Sequence, residues 1–139
     1  MILFHIQTKI KILHKTLYKK WIKNLSQQLE KRVGELNFIF CSDDSLLELN
    51  QQYLQHDTLT DVITFDYSEG DLIQGDIFIS TDRVRENAQE FGVDFNTELR
   101  RVIAHGVLHL CGFKDKTKSD SKMMREKENW ALSEYLKIL

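Results

Sequence analysis

The spacing of apolar and polar positions predicts alternating strands and helices in the first half of the chain. Residues 2–13 alternate and predict a strand. Residues 15–33 carry a large apolar side chain at every fourth position, which is typical of an amphipathic helix, and Gly34 is suited to end it. "ELNFIFCS" then predicts a short buried strand, and "SDDSLLELNQQYL" begins with capping residues and predicts a second helix.

The second half adds two strands and three helices. The β-branched and aromatic runs "TDVITFDY" and "DIFIS" predict strands that pair as a hairpin through the turn-rich "EGDLIQG". Three helical segments follow: "STDRVRENAQEFG", "NTELRRVIAHGVLHLCG" and "SDSKMMREKENWALSEYLKIL". The first is expected to begin at Ser80 or Thr81 and to end at Gly92, and the second is expected to have Asn96 as its cap. The mixture predicts an α+β fold, a single mixed sheet with helices packed on it, in one domain over residues 1–139.

Composition indicates a globular protein without a membrane partner. Of the 139 residues, 42% are hydrophobic and 29% are charged, and no apolar run approaches the roughly 18 residues of a membrane span. The N-terminal residues lack the basic start and cleavage site of an export signal, so we expect a cytoplasmic protein. We therefore expect Cys41 and Cys111 to be reduced thiols. The sequence leaves the oligomeric state open.

Charge is distributed unevenly along the chain, whose net charge is −2. Residues 1–35 hold eight Lys or Arg and two Glu, whereas residues 36–139 hold eleven Lys or Arg and nineteen Asp or Glu. The basic stripe at residues 9–23 is suited to a phosphate backbone. A solvated helix face would carry the same charges, and both interpretations stay open.

The predicted helix around "HGVLHL" carries the most informative pattern. At about 100° per residue, His105 and His109 lie about 40° apart on one face. Between Val102 and Cys111 the two histidines are the only polar side chains, so this helix is expected to be buried at the centre of the domain. Imidazoles in a core need partners, and two histidines bonded to backbone carbonyls would be the simplest arrangement.

A metal site is the alternative, and the residues after the helix favour it. Gly112 can turn the chain back, so that Asp115 returns to the open side of the imidazoles. Two nitrogens and one carboxylate oxygen form a three-ligand site for one zinc ion per chain, with a fourth position open for water, as in catalytic zinc sites. Cys111 lies about 200° around the helix from His109 and is expected to point into the core. The other histidines, His5, His14 and His56, are isolated.

The spacing is similar to that of the metzincin proteases, and it predicts a zincin-like central helix. Gly106 stands where those enzymes carry the glutamate base, and Asp115 stands where they carry a third histidine. Aspartate can replace histidine as a zinc ligand, whereas glycine cannot act as a base. Peptide hydrolysis by the usual route is therefore disfavoured.

"HGVLHLCGFKD" also resembles the H-G-x-L-H-L-x-G-Y-D-H signature of the YbeY endoribonuclease family. "LNQQYLQHDTLTDVITF", "GDIFIS" and "MMREKE" are similar to further blocks of that family in the same order, over roughly residues 46–130. The resemblance implies a metal-dependent, single-strand-specific endoribonuclease that matures the 3′ end of 16S rRNA, takes part in ribosome quality control and associates with the small ribosomal subunit. It implies zinc at His105, His109 and Asp115. Leu54 stands where the family has an arginine thought to act on phosphate.

Two chemical routes are open for such a site. Zinc lowers the pKa of bound water toward about 7, and RNA also offers attack by its own 2′-OH. The transition state gains negative charge, which Arg101, one turn before His105, is placed to stabilise as a catalytic residue. Lys114 and Lys116 are further cations near the site.

Several carboxylates complete the candidate residues, and two other functions remain open. Asp61 and Asp76 either orient a histidine or cap strand ends, and Glu98 is a possible base. A non-catalytic zinc-containing factor bound to the ribosome would share these features. A metalloprotease would share them too, but it is the less favoured alternative.

Overall fold

The computed structural model describes residues 1–54 and 60–139, except the side chain of Leu54. Within them it contains four strands and five helices: β1 (Ile2–Ile6), α1 (Lys15–Gln28), β2 (Arg32–Cys41), α2 (Asp43–Leu54), β3 (Val62–Asp66), β4 (Leu72–Ser80), α3 (Thr81–Phe91), α4 (Phe95–Leu110) and α5 (Lys118–Lys137). In the described part, no helix is long and apolar enough to cross a membrane.

The four strands form one mixed sheet in the order β1-β2-β4-β3. β1 and β4 both run parallel to β2, whereas β3 runs antiparallel to β4. The predicted hairpin of β3 and β4 is therefore confirmed, as is the α+β class with a mixed sheet.

Several element boundaries differ from the sequence prediction. β1 ends at Ile6, well before residue 13, and α1 ends at Gln28 because Glu30 takes a positive φ of 60°. Gly34 lies inside β2 and does not end the helix. Its lack of a side chain is needed there, since a Cβ would come within 2.6 Å of the Gln74 side chain of β4. β4 also starts earlier than predicted, at Leu72.

Caps explain where helices α3 and α4 begin. The Ser80 side chain accepts a hydrogen bond from the backbone N–H of Arg83, so Ser80 is the cap of α3. The cap of α4 is Asp94, whose carboxylate accepts from the N–H of Thr97 at 2.7 Å. The prediction of Asn96 as this cap was wrong, because the charged side chain two residues earlier takes that role.

The central position of α4 is confirmed. Leu99, Ile103 and Val107 are buried in the main core, where α4 packs between the sheet, α3 and α5. Helix α1 joins the same layer, since the indole N–H of Trp21 donates to the Ala131 carbonyl of α5 at 2.8 Å. A smaller apolar cluster, which includes Leu46 of α2, lies on the opposite face of the sheet. One side of α4 thus faces β3 and β4, and another faces α5.

Candidate active site

The two histidines of α4 are each held through one ring nitrogen. His105 Nδ1 lies 2.8 Å from a carboxylate oxygen of Glu128 in α5. His109 Nδ1 lies 3.2 Å from the backbone carbonyl oxygen of Phe113. Both partners are acceptors, so each Nδ1 carries a proton and donates, and in the neutral imidazole Nε2 is the nitrogen whose lone pair can bind a metal. This is the arrangement by which proteins prepare histidines as metal ligands.

The turn after α4 brings Asp115 back to His105, as the sequence predicted. Gly112 adopts a φ of 103°, and the N–H of Phe113 donates to the Leu108 carbonyl, which reverses the chain. The Ser121 hydroxyl then fixes the turn by donating to the Asp115 carbonyl at 3.1 Å. As a result, the Asp115 carboxylate lies 3.3 Å from His105 Nε2.

This separation fits two ligands of one zinc ion. Zinc binds nitrogen and oxygen at about 2.0–2.2 Å in a tetrahedral arrangement, which places two such ligand atoms about 3.3–3.5 Å apart. His105 Nε2 and Asp115 Oδ2 match that spacing. His109 follows one turn later on the same helix. Its contact to Phe113 is made by Nδ1 and does not involve Nε2. His105 and Asp115 are thus spaced as two zinc ligands would be, but in the described residues no three His, Cys, Asp or Glu side chains are grouped so that they could hold an ion. The place of His109 as the third ligand therefore stays a prediction.

A cleft of about 360 Å³ opens at His105 and Asp115. It lies between the end of α3, the middle of α4, the start of β3 and the first half of α5. His109 is not one of the described residues that line it. Besides His105 and Asp115, its polar lining includes the uncharged Asn87 and side chains of both signs of charge: Asp61, Glu98, Arg101, Arg125 and Glu128. Carboxyl side chains outnumber arginines in this lining, so it suits a bound cation, and a phosphate there would depend on Arg101 and Arg125.

Two arginines supply the positive charge of the cleft, and they differ in how firmly they are held. Arg101 Nη1 donates to Asn129 at 3.1 Å and to Glu128 at 3.4 Å, and its Nε lies 3.6 Å from Glu98. The side chain of Arg125 is 55% exposed, with only a 3.8 Å contact to Glu128. Arg101 thus lines the same cleft as His105, while its predicted catalytic role stays a prediction, and Arg125 is the less firmly held of the two. The predicted alternatives Lys114 and Lys116 do not line the cleft in the described structure.

Two further carboxyl groups in the cleft are affected by burial. The Glu98 side chain is only 3% exposed, and its Oε1 has no hydrogen-bond partner in the described structure. Burial raises the pKa of Glu98, and the Arg101 charge offsets only part of that rise. Burial likewise raises the pKa of Asp61, against the opposing effect of His105. Both groups hold a proton more readily than an exposed carboxylate does.

The surroundings of His105 favour its charged form, whereas those of Glu98 and Asp61 favour the neutral form. Burial disfavours its charged form, but the hydrogen bond and charge of Glu128, with the charges of Asp115 and Asp61, outweigh burial and raise its pKa. Zinc and protons compete for imidazole, so an acidic surrounding that favours one cation also favours the other. The environment of His105 is therefore built for a positive partner.

The remaining polar residues named from the sequence lie elsewhere. Asp76 accepts a hydrogen bond from Asn37 at 3.1 Å, and Asn37 in turn bonds His5 at 2.9 Å, so both belong to the sheet. Both cysteines are free, and burial raises the pKa of the Cys111 thiol to about 11, which disfavours the thiolate that zinc requires. His56 lies outside the described residues.

Sequence reasoning missed the contribution of α5. Glu128 and Arg125 lie one turn apart on that helix, far from His105 in sequence, and both face the cleft. Glu128 is buried although its neighbours Glu126 and Asn129 are exposed. The only sequence signal was that "MMREKE" belongs to the resemblance; nothing in its spacing points to His105.

Comparisons with known proteins identify the family. The family model described as Endoribonuclease YbeY matches residues 3–136. The chain is 55% identical to Endoribonuclease YbeY of Flavobacterium psychrophilum over 129 residues, covering 93% of this chain and 92% of that protein. It is 57% identical to the Phocaeicola vulgatus protein of the same name over 113 residues, covering 81% and 82%. A solution structure of a Thermotoga maritima protein is similar to the fold with a TM-score of 0.69 and 33% identity, covering 97% of this chain and 89% of that one. The chain therefore belongs to the YbeY endoribonuclease family.

Proposed function

We propose that this protein is a zinc-dependent, single-strand-specific endoribonuclease. Its role would be to mature the 3′ end of 16S rRNA and to act in ribosome quality control, in the cytoplasm and in contact with the small ribosomal subunit. The observation that carries the proposal is the pair of α4 histidines whose Nδ1 atoms bond Glu128 and Phe113, with His105 Nε2 turned to the Asp115 carboxylate at 3.3 Å. Family membership supports RNA as the substrate.

The residues of the site divide into three tasks. His105, His109 and Asp115 would hold one zinc ion, which when bound supplies a Lewis acid and lowers the pKa of its water. Arg101 and Arg125 line the same cleft and are placed to bind phosphate oxygens as negative charge develops. The family arginine is replaced by Leu54 in this chain, so we assign its charge to these two side chains.

Proton transfer has its own candidates in the cleft. Glu98 and Asp61 are carboxyl groups with raised pKa values, and such groups can exchange protons nearer to neutral pH than exposed ones. They would accept a proton from water or from the 2′-OH, whichever attacks the phosphodiester. Both routes need the same cations and the same proton acceptor.

The direct test measures metal and cleavage in the purified wild-type protein. Prepared without chelator, it is expected to hold about one zinc per chain and to cut single-stranded RNA, including a transcript of the 16S rRNA 3′ end, in preference to duplex RNA. Removing zinc with a chelator should abolish cleavage, and adding zinc back should restore it. Zinc without cleavage would favour a non-catalytic ribosome-associated factor, and cleavage of casein instead of RNA would favour a protease.

Glu128 gives a second prediction, which concerns the orientation of His105. Glu128→Gln removes the negative charge that holds Nδ1–H, and we expect zinc affinity to fall about 10- to 100-fold, the usual cost of losing such a partner. Titration of the apoprotein with zinc measures the affinity, and the melting temperature of the apoprotein shows whether the fold is kept.

The matched control for this variant is Glu126→Gln. Glu126 lies on the same helix but is exposed, and it should bind zinc as the wild type does. Equal zinc affinity in both variants would show that Glu128 has no role in preparing the metal ligand.

A further inference from the structure

We propose that Phe91 and Asn87 form a subsite that stacks and hydrogen-bonds one unpaired RNA base beside the reacting phosphate. This inference rests on the proposed function, since it names the part of the substrate that the cleft receives next to the zinc ligands. It concerns residues at the C-terminal end of α3, which have no role in the metal site.

The exposure of Phe91 needs an explanation. It is the last residue of α3, and its surface is 55% exposed. Gly92 follows with a φ of 67°, which ends the helix directly after Phe91. Among the described residues the ring has no aromatic or cationic partner. A large apolar side chain held at the end of a rigid helix is thus left open to a partner.

The position of Phe91 identifies the partner. The residue lines the same cleft as His105, Arg101 and Arg125. The cleft volume of about 360 Å³ lies in the range of about 300–1,000 Å³ that is usual for small-ligand sites. Arginines for a phosphate and an aromatic face for a base are the two elements by which proteins hold single-stranded nucleic acid. The nucleotide next to the cut phosphate would place its phosphate at the arginines and its base on the Phe91 ring.

Asn87 adds a polar group that suits a base edge. It precedes Phe91 by four residues on α3, so the two side chains lie on one face of the helix, and both line the cleft. An amide offers a donor and an acceptor together, which matches the paired groups on the edge of a nucleobase. In a duplex that base would be stacked and paired, so the subsite accepts only an unpaired strand.

The test measures RNA binding by zinc-loaded protein while one base at a time is removed from the RNA. The probe is a short fluorescent single-stranded RNA, with a set of versions that each carry one abasic nucleotide, and binding is followed by fluorescence anisotropy. Phe91→Ala should weaken binding of the complete RNA about tenfold, the usual loss when one stacking partner is removed. One abasic position should weaken wild-type binding by a similar factor and leave Phe91→Ala unchanged. Phe91→Trp should bind as well as the wild type.

Tyr67→Ala is the matched control. Tyr67 is 58% exposed, similar to Phe91, but it follows β3 and does not line the cleft in the described structure. Its loss should not alter RNA affinity. The subsite is overturned if Phe91→Ala binds the complete RNA as tightly as the wild type. It is also overturned if Phe91→Ala binds every abasic RNA more weakly than the wild type does, by the same factor as it binds the complete RNA.

Parallel cleavage assays separate this inference from the proposed function. Base-dependent binding through Phe91 by a wild-type protein that cuts no RNA would keep the subsite and refute the nuclease. Cleavage that is indifferent to Phe91, in a protein whose RNA affinity is also indifferent to it, would keep the nuclease and refute the subsite.

Discussion

Replacing His109 with alanine is expected to abolish zinc binding and RNA cleavage together while the protein stays folded. The imidazole contributes one of three predicted ligands, and its Nδ1 is already engaged by the Phe113 carbonyl. A two-ligand site holds zinc too weakly to stay loaded during purification. Zinc supplies several kcal/mol of transition-state stabilisation, so its loss should lower the cleavage rate by about a thousandfold or more. Zinc content per chain and the rate of single-stranded RNA cleavage measure the two effects.

The control for this variant is His14→Asn. His14 lies exposed at the start of α1 with a φ of 65°, a conformation that asparagine tolerates, and it does not line the cleft. Zinc and cleavage should both match the wild type. If His109→Ala retains one zinc per chain, then His109 is not a ligand. If it loses zinc but keeps cleavage, the metal has no part in the reaction.

Much of the fold was predicted from local sequence patterns, because these parts of the fold are determined by interactions between residues close in sequence. The apolar surroundings of His105 and His109 placed both on a buried helix, and α4 confirms this. The β-branched runs of β3 and β4 predicted their hairpin. The positive φ of Gly112 and the return of Asp115 to His105 also followed from the sequence, since only the turn between them had to be known.

Features that depend on distant partners were not predictable in this way. Gly34 was expected to end a helix, but the pairing of β2 with β4 draws it into a strand against Gln74. Glu128 reaches His105 only because α5 packs on α4, and Phe91 reaches the cleft only because α3 does. Neither packing leaves a signal in the spacing of its own helix. The residues that we propose as metal ligands were therefore named from the sequence, whereas Glu128 and the cleft were not.

Gly106, which stands where a metzincin has its glutamate, faces the sheet in this structure. It lies on the side of α4 that packs against β4, and a Cβ built there would be 2.8 Å from Cγ2 of Ile77. Ile77 is fully buried in the main core. The position thus faces the sheet and not the cleft, so no side chain at residue 106 could act on a substrate.

We therefore expect Gly106→Glu to destabilise the protein severely and to create no protease activity. Overpacking costs about 1–3 kcal/mol, and an unpaired carboxylate forced into the core adds several more, so the free energy of unfolding should fall by at least about 3 kcal/mol. Asn96→Glu, at an exposed position of the same helix, should change it by no more than about 0.5 kcal/mol. Urea unfolding measures both variants, and casein cleavage tests the activity. A Gly106→Glu protein with wild-type stability would mean that α4 does not pack on Ile77 as closely as described, and casein cleavage by it would show that residue 106 reaches a substrate.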